Sequence, residues 1–134
     1  MKKHVLITTV SGTAFAGQLL DETEKTDWIG LKPGSQSGVI IYFHKNFIQS
    51  ILLEDGGKKT YEPLVSGYLF QEESRIPVNN VLMVRVKGGV SYRGSEASAV
   101  QELQAEHGYW LKPSLHNGIV IYIPQQDVEK VFGG

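Results

Sequence analysis

The sequence contains no cysteine, only five prolines in 134 residues, and a formal net charge of −1 at pH 7. Without cysteine the chain has no disulfide, no cysteine-ligated zinc and no thiol nucleophile. A net charge near zero gives no bulk attraction to nucleic acid or to an anionic membrane. Long hydrophobic runs are also missing, since 39–43 and 119–123 are five residues each, far below the length of a membrane span. The first apolar stretch is too short for a signal peptide, so we expect a cytoplasmic protein with no membrane partner.

What the sequence does contain is an internal repeat. Residues 31–42 recur at 111–122, with six of the 12 positions identical and two more exchanged between Val and Ile. A shorter pattern, Gly-x-x-aromatic-x-Gly, occurs at 12–17 and again at 89–94. Such a repeat indicates two copies of one supersecondary unit. Each copy has roughly 65 residues, close to the lower limit for an independent core, so we expect the halves to pack on each other or on other chains.

Each half is predicted to be all-β, because short β-branched and aromatic segments alternate with turn residues. We predict first-half strands at 4–10, 15–21, 28–32, 39–43 and 47–53, and second-half strands at 81–86, from 91 onward, and at 109–112, 119–123 and 127–132. The division is therefore 1–53, a connector at 54–80, and 81–134. One region leaves two alternatives: 95–107 fits either one short helix that begins at Ser95 or a long bent hairpin.

The two wholly apolar strands predict a role in assembly. Alternation along a strand is lost when both faces are covered, and an exposed edge strand tends to pair with another chain. We therefore predict that these strands are oligomer edges, through Val39, Ile41, Phe43, Ile119, Ile121 and Ile123.

The motifs in these halves resemble those of the Sm/LSm family of small β-barrels. The resemblance is carried by Gly12, Phe15, Gly17 and Leu19, and by the segment 43–51, which is similar to the second Sm motif. It implies two tandem five-stranded, bent antiparallel barrels of the Sm/SH3-like type, and a bacterial or phage relative. The tip at 22–27 is acidic and lacks the Asn of the family's base pocket, and the family's Arg-Gly is replaced by His44-Lys45.

The resemblance also implies how the chain assembles and what it binds. Two barrels per chain favour a homotrimer that forms a six-barrel ring, and a monomer with blocked edges is the alternative. Single-stranded RNA would contact the pore-side corner formed by Tyr42, His44, Lys45 and Asn46. A non-enzymatic scaffold that self-assembles and mediates protein–protein interaction is the favoured function, and RNA binding is the alternative.

No motif in the sequence indicates catalysis. The four histidines lack metal-ligand spacing, and no phosphate-binding loop or nucleophile motif is present. The acidic residues cluster at hairpin tips, where charges are usually solvated. We therefore predict no catalytic residue, no metal and no cofactor. The remaining chemistry lies in basic residues that neighbour aromatics in sequence, which can bind a single strand; these are Lys32, His44, Lys45, Arg85, Lys87, Arg93 and Lys112.

Overall fold

The computed structural model describes residues 3–10, 12–20, 28–33, 38–60, 81–96, 107–113 and 118–133. Within these ranges the protein is all-β, and eleven antiparallel strands form one sheet. The strands are β1 (Lys3–Thr9), β2 (Ala14–Leu20), β3 (Trp28–Lys32), β4 (Ile40–His44), β5 (Ile48–Leu53), β6 (Lys58–Thr60), β7 (Val81–Val86), β8 (Ser91–Glu96), β9 (Gly108–Lys112), β10 (Ile119–Pro124) and β11 (Val128–Gly133).

The strand order shows that the two halves are built alike. Across the sheet the order is β11-β7-β8-β9-β10-β4-β3-β2-β1-β5-β6. In each half the fifth strand pairs with the first, followed by the second, third and fourth, and the two fourth strands meet in the middle. Strand β6, which pairs with β5, has no counterpart in the described part of the second half. Closure of each half into a separate barrel stays a prediction.

The central pair of strands, β4 and β10, is related by an approximate two-fold axis. Ile41 lies opposite Ile121, and these two residues are equivalent in the repeat. Strand β4 also pairs with β3, and β10 with β9. The prediction that both strands are free edges for oligomerisation is therefore wrong. Ile41, Phe43 and Ile121 are paired on both sides within the chain, and the two faces of this pair are covered by the side chains of two hydrophobic clusters. A part in oligomerisation for Val39, Ile119 and Ile123 stays a prediction.

Each half places a 3-10 turn against the start of the other half's fourth strand. The turns are Lys45–Phe47 and Gln125–Asp127. Beside the first-half turn, the His44 N–H donates to the Gly118 carbonyl at 2.8 Å. The repeat-equivalent of His44 is Pro124, which has no N–H to donate. At the second-half turn the Gly38 N–H instead donates to the Asp127 carboxylate at 2.8 Å.

One hydrophobic core spans both halves. Its most deeply buried members come from first-half strands and second-half strands alike, among them Ile7, Leu31 and Phe43 together with Val84, Leu111 and Ile123. Phe15 packs edge-on against Phe43, with 5.1 Å between the ring centres. The expectation that halves of this size pack on each other is confirmed by this shared core.

Two glycines bring the second and third strands of each half into close contact. A Cβ built on Gly17 would lie 2.5 Å from the Lys32 carbonyl oxygen, and one built on Gly94 would lie 2.5 Å from the Lys112 carbonyl oxygen. Lys32 and Lys112 are themselves equivalent in the repeat. The shared Gly-x-x-aromatic-x-Gly pattern therefore marks the same backbone approach in both copies.

The predicted strands agree with the structure to within about two residues at each end. The connector differs from expectation, because 58–60 forms β6 after the predicted turn at Asp55-Gly56-Gly57. A helix beginning at Ser95 is wrong, because Ser95 and Glu96 pair with β9 as part of β8. The rest of that helix-or-hairpin question, 97–106, lies outside the described residues, as does 61–80.

Candidate binding surfaces

The predicted RNA-binding corner does not present a free aromatic ring. Tyr42 is only 5% exposed, and its ring stacks on Trp110 with 6.0 Å between centres. The His44 ring lies edge-on to the Trp28 ring, with 5.1 Å between the ring centres. Lys45 is half-buried in the 3-10 turn, and Asn46 lies in the same turn. The corner is thus a packed junction, and Tyr42 is not available for stacking on a base. RNA contact by His44, Lys45 and Asn46 stays a prediction.

An aromatic cluster covers the face of the β4–β10 junction opposite the core. Its buried members are Tyr42, Trp110, Val120 and Tyr122, with Trp28 and Ile40 packed against them. Tyr122 donates its hydroxyl hydrogen to the His107 carbonyl at 3.3 Å, so the polar end of this buried ring has a partner. These rings therefore hold the two halves together, and they are not a binding platform.

The outer face of the first half has a patch of five positions without charged side chains, bordered by the exposed Lys58, which lies opposite Leu52. We call this patch the neutral face and define it by Leu6, Thr8, Ala16, Ser50 and Leu52. Leu6 lies opposite both Ala16 on β2 and Leu52 on β5. The two leucines are 37% and 42% exposed. Single exposed leucines are common on protein surfaces.

The same face of the second half carries three cations. We call it the basic face, and its repeat-equivalent residues, in the same order, are Met83, Arg85, Arg93, Lys130 and Phe132. The strand registers confirm the equivalence, since Met83 lies opposite both Arg93 and Phe132, and Arg85 lies opposite Lys130. Arg85, Arg93 and Lys130 are all exposed. Three neutral positions of one copy have thus become basic in the other.

Two of these cations repel each other across neighbouring strands and are both held over one aromatic ring. Arg85 and Lys130 are direct cross-strand neighbours, and like charges in that position destabilise a sheet. Both charged groups lie over the Phe132 ring, the Lys130 Nζ at 4.8 Å and the Arg85 guanidinium at 5.8 Å from its centre. One exposed carboxylate, that of Glu129, is next to Lys130 in the chain. A bound anion would relieve the repulsion that remains.

The edge of the sheet differs between the halves in a second way. In the first half, β6 covers the outer edge of β5. The repeat-equivalent strand β11 ends the sheet, and within the described ranges nothing pairs with its outer edge. A strand edge of this kind can pair with a strand of another chain.

Two further observations concern the chemistry of the described residues. Burial raises the pKa of the Tyr92 phenol above its usual value, as desolvation of a group packed against the core requires. Among the residues that the structure describes, no three potential metal-ligating side chains lie together. In the same part of the chain, no helix has the length and hydrophobicity to cross a membrane.

Sequence reasoning identified Arg85 and Arg93 as basic candidates but missed Lys130 and Phe132. It judged charges by their neighbours along the chain, whereas this face is assembled from three strands. A position-by-position comparison of the two copies would have found it, because Thr8, Ala16 and Ser50 align with the three cations once the repeat offsets are applied.

Comparison of the chain with models of known protein families, with curated proteins and with solved structures gives no match.

Proposed function

We propose that this protein is a non-enzymatic binding scaffold whose second half holds single-stranded RNA on the basic face. The observation that supports the proposal is the gain of Arg85, Arg93 and Lys130 at positions that are neutral in the first copy. The fold does not need these cations, since the first copy forms the same strand order without them. Arg85 and Lys130 repel each other across β7 and β11, and a bound anion would relieve this repulsion.

The basic face suits a flexible polyanion. Lys and Arg bind nucleic acid by neutralising phosphates and releasing counterions, and an Arg plane can also stack on a base. The three cations lie on adjacent strands, β8, β7 and β11, and successive strands are about 4.8 Å apart. Lys130 and Arg85 lie directly opposite each other, and Arg93 lies two residues further along β8. The three therefore form a diagonal line across the sheet that a single strand could follow. The Lys87 side chain at the β7–β8 turn is also exposed and adds positive charge at one end.

The test replaces each cation by its repeat-equivalent residue, as Arg85→Thr, Arg93→Ala and Lys130→Ser. Binding of short U-rich and A-rich RNA is followed by fluorescence anisotropy over a range of salt concentrations. If all three side chains contact phosphates of a single strand, the triple variant should lower the slope of log K against log salt by about 2. Unchanged affinity in this variant would refute the proposal.

Two control variants locate the effect. Thr8→Arg combined with Ala16→Arg transfers two of the cations to the neutral face and should create weaker, salt-sensitive binding there. Lys45→Ala tests the corner that the sequence predicted, and we expect it to leave RNA binding unchanged. Urea unfolding of the triple variant should show a stability within about 1 kcal/mol of the wild type, because removal of the repulsion between Arg85 and Lys130 offsets the loss of their contacts with the Phe132 ring.

Protein–protein scaffolding is a second candidate function, and the open edge of β11 favours it. Since β4 and β10 pair with each other within the chain, an assembly by strand pairing would use other edges of the sheet. The trimer itself stays a prediction that light scattering at several concentrations can check.

A further inference from the structure

We infer that the outer edge of β11 binds an extended acidic segment of a partner protein as an additional strand. The inference concerns the sheet edge and does not depend on RNA binding by the basic face. It starts from a difference between the halves: β5 has a strand on its outer edge and its equivalent β11 has none among the described residues.

The first half shows how such a strand is accommodated. Strand β6 is only three residues long, and its members lie opposite Ser50, Ile51 and Leu52. The equivalent positions on β11 are Lys130, Val131 and Phe132. Both fifth strands also carry the same irregularity just before this segment, at 48–50 and at 128–130. The backbone of β11 is therefore shaped like one that already accepts an added strand.

The side chains beside this edge select the composition of the incoming strand. Lys130 and Phe132 lie on the outer face, where the Arg85 guanidinium is also close. Directly opposite residues on antiparallel strands share a face, and an opposite-charge pair there is stabilising. Val131 lies between them on the half-buried core side. The favoured segment thus has acidic residues opposite Lys130 and Phe132 and an apolar residue opposite Val131, in the order Glu-Val-Glu or a close equivalent.

A second copy of this chain is a poorer occupant. In the register of β5 and β6, its Lys58 would lie opposite Phe132, beside the Lys130 and Arg85 charges. Pairing of β11 with β11 would place two sets of these cations on adjoining strands, and like charges across strands are destabilising. The same charges would protect the edge from uncontrolled self-association while leaving it open to an acidic strand, in the mode of β-strand addition.

The experiment uses a capped peptide with Glu-Val-Glu at its centre, titrated into the full chain. Amide hydrogen exchange, read by NMR, should become slower along β11, while the β4–β10 junction should not change. A peptide with Lys-Val-Lys at its centre should bind about tenfold more weakly. A Glu-Pro-Glu peptide, which lacks one ladder donor, should also bind more weakly. The Lys130→Glu variant should reverse the preference between the acidic and the basic peptide.

Equal binding of the acidic and basic peptides, or protection that misses β11, would overturn the inference. So would a dimer in light scattering that protects β11 without peptide, because a second copy would then be the occupant. Arg93→Ala separates this site from the RNA site. Arg93 lies on β8, two strands from the edge, so this variant should reduce RNA affinity and leave peptide affinity unchanged.

Discussion

At the scale of single residues, Gly17 and Gly94 are the most constrained positions that the repeat shares. Each lies on a second strand where the backbone of the third strand comes within 2.5 Å of the place a Cβ would occupy. The blocking atom is a main-chain carbonyl oxygen, which cannot move aside as a flexible side chain could. Replacing either glycine must therefore separate two paired strands.

We expect Gly17→Val and Gly94→Val each to destabilise the protein by about 2 kcal/mol or more, the range for overpacked or strained sites. Urea unfolding measures the loss. Ala16→Val is the matched control, since Ala16 is the neighbour of Gly17 on the same strand and points to solvent. Losses in the two glycine variants no larger than in this control would contradict the close approach.

At the scale of elements, the junction between the halves depends on the two 3-10 turns. In the second-half turn, the Asp127 carboxylate accepts a hydrogen bond from the Gly38 N–H at 2.8 Å. The repeat-equivalent residue in the first-half turn is Phe47, which has no acceptor in its side chain. A carboxylate acceptor makes a stronger bond than a neutral one. We expect Asp127→Ala to cost about 1–2 kcal/mol, because the partly buried Gly38 N–H loses a charged partner.

The matched control for Asp127→Ala is Glu129→Ala, which removes a nearby exposed carboxylate and should change the stability by less than about 0.5 kcal/mol. Thermal or urea unfolding of both variants supplies the comparison. Similar losses in the two would show that net charge, and not the bond to Gly38, accounts for the effect.

The strands themselves follow from local sequence, and their partners do not. The apolar runs and the turn residues that precede them predict the bounds of β4 and β10 to within one residue, because a short apolar run is recognised from its own composition. Their pairing with each other depends on how all the strands are arranged in the sheet, which the local sequence of either strand does not specify. The apolar composition of each strand indicates that both of its faces are buried. It does not show that both of its edges are hydrogen-bonded to neighbouring strands.

The basic face illustrates the same limit for function. Arg85 and Lys130 are far apart in sequence and become neighbours only through the pairing of β7 with β11. Tyr42 shows the converse, since its position beside His44 and Lys45 suggested an accessible ring, yet the β4–β10 junction covers it. Local reasoning predicts which side chains carry chemistry, and the strand order decides which of them can reach a ligand.

At the scale of the whole molecule, the shared core predicts that the two halves unfold together. One cluster of buried side chains runs through both, and the β4–β10 ladder joins them at the centre of the sheet. Each half alone is close to the size at which a core becomes marginal. Separating the halves would expose the aromatic cluster as well as the core residues of the junction.

The two tryptophans allow this cooperativity to be measured, because Trp28 lies on β3 of the first half and Trp110 on β9 of the second. In Trp110→Phe the remaining tryptophan lies on the first half and in Trp28→Phe on the second, and each packs in the aromatic cluster of the junction. We expect the fluorescence and far-UV circular dichroism curves in urea to coincide within each variant, as two-state unfolding requires. If one half melted first, the circular dichroism curve would show two steps and the fluorescence would follow only one. A repeat that folds as two separate units would then replace the single sheet, since the β4–β10 ladder cannot persist when either of its strands has unfolded.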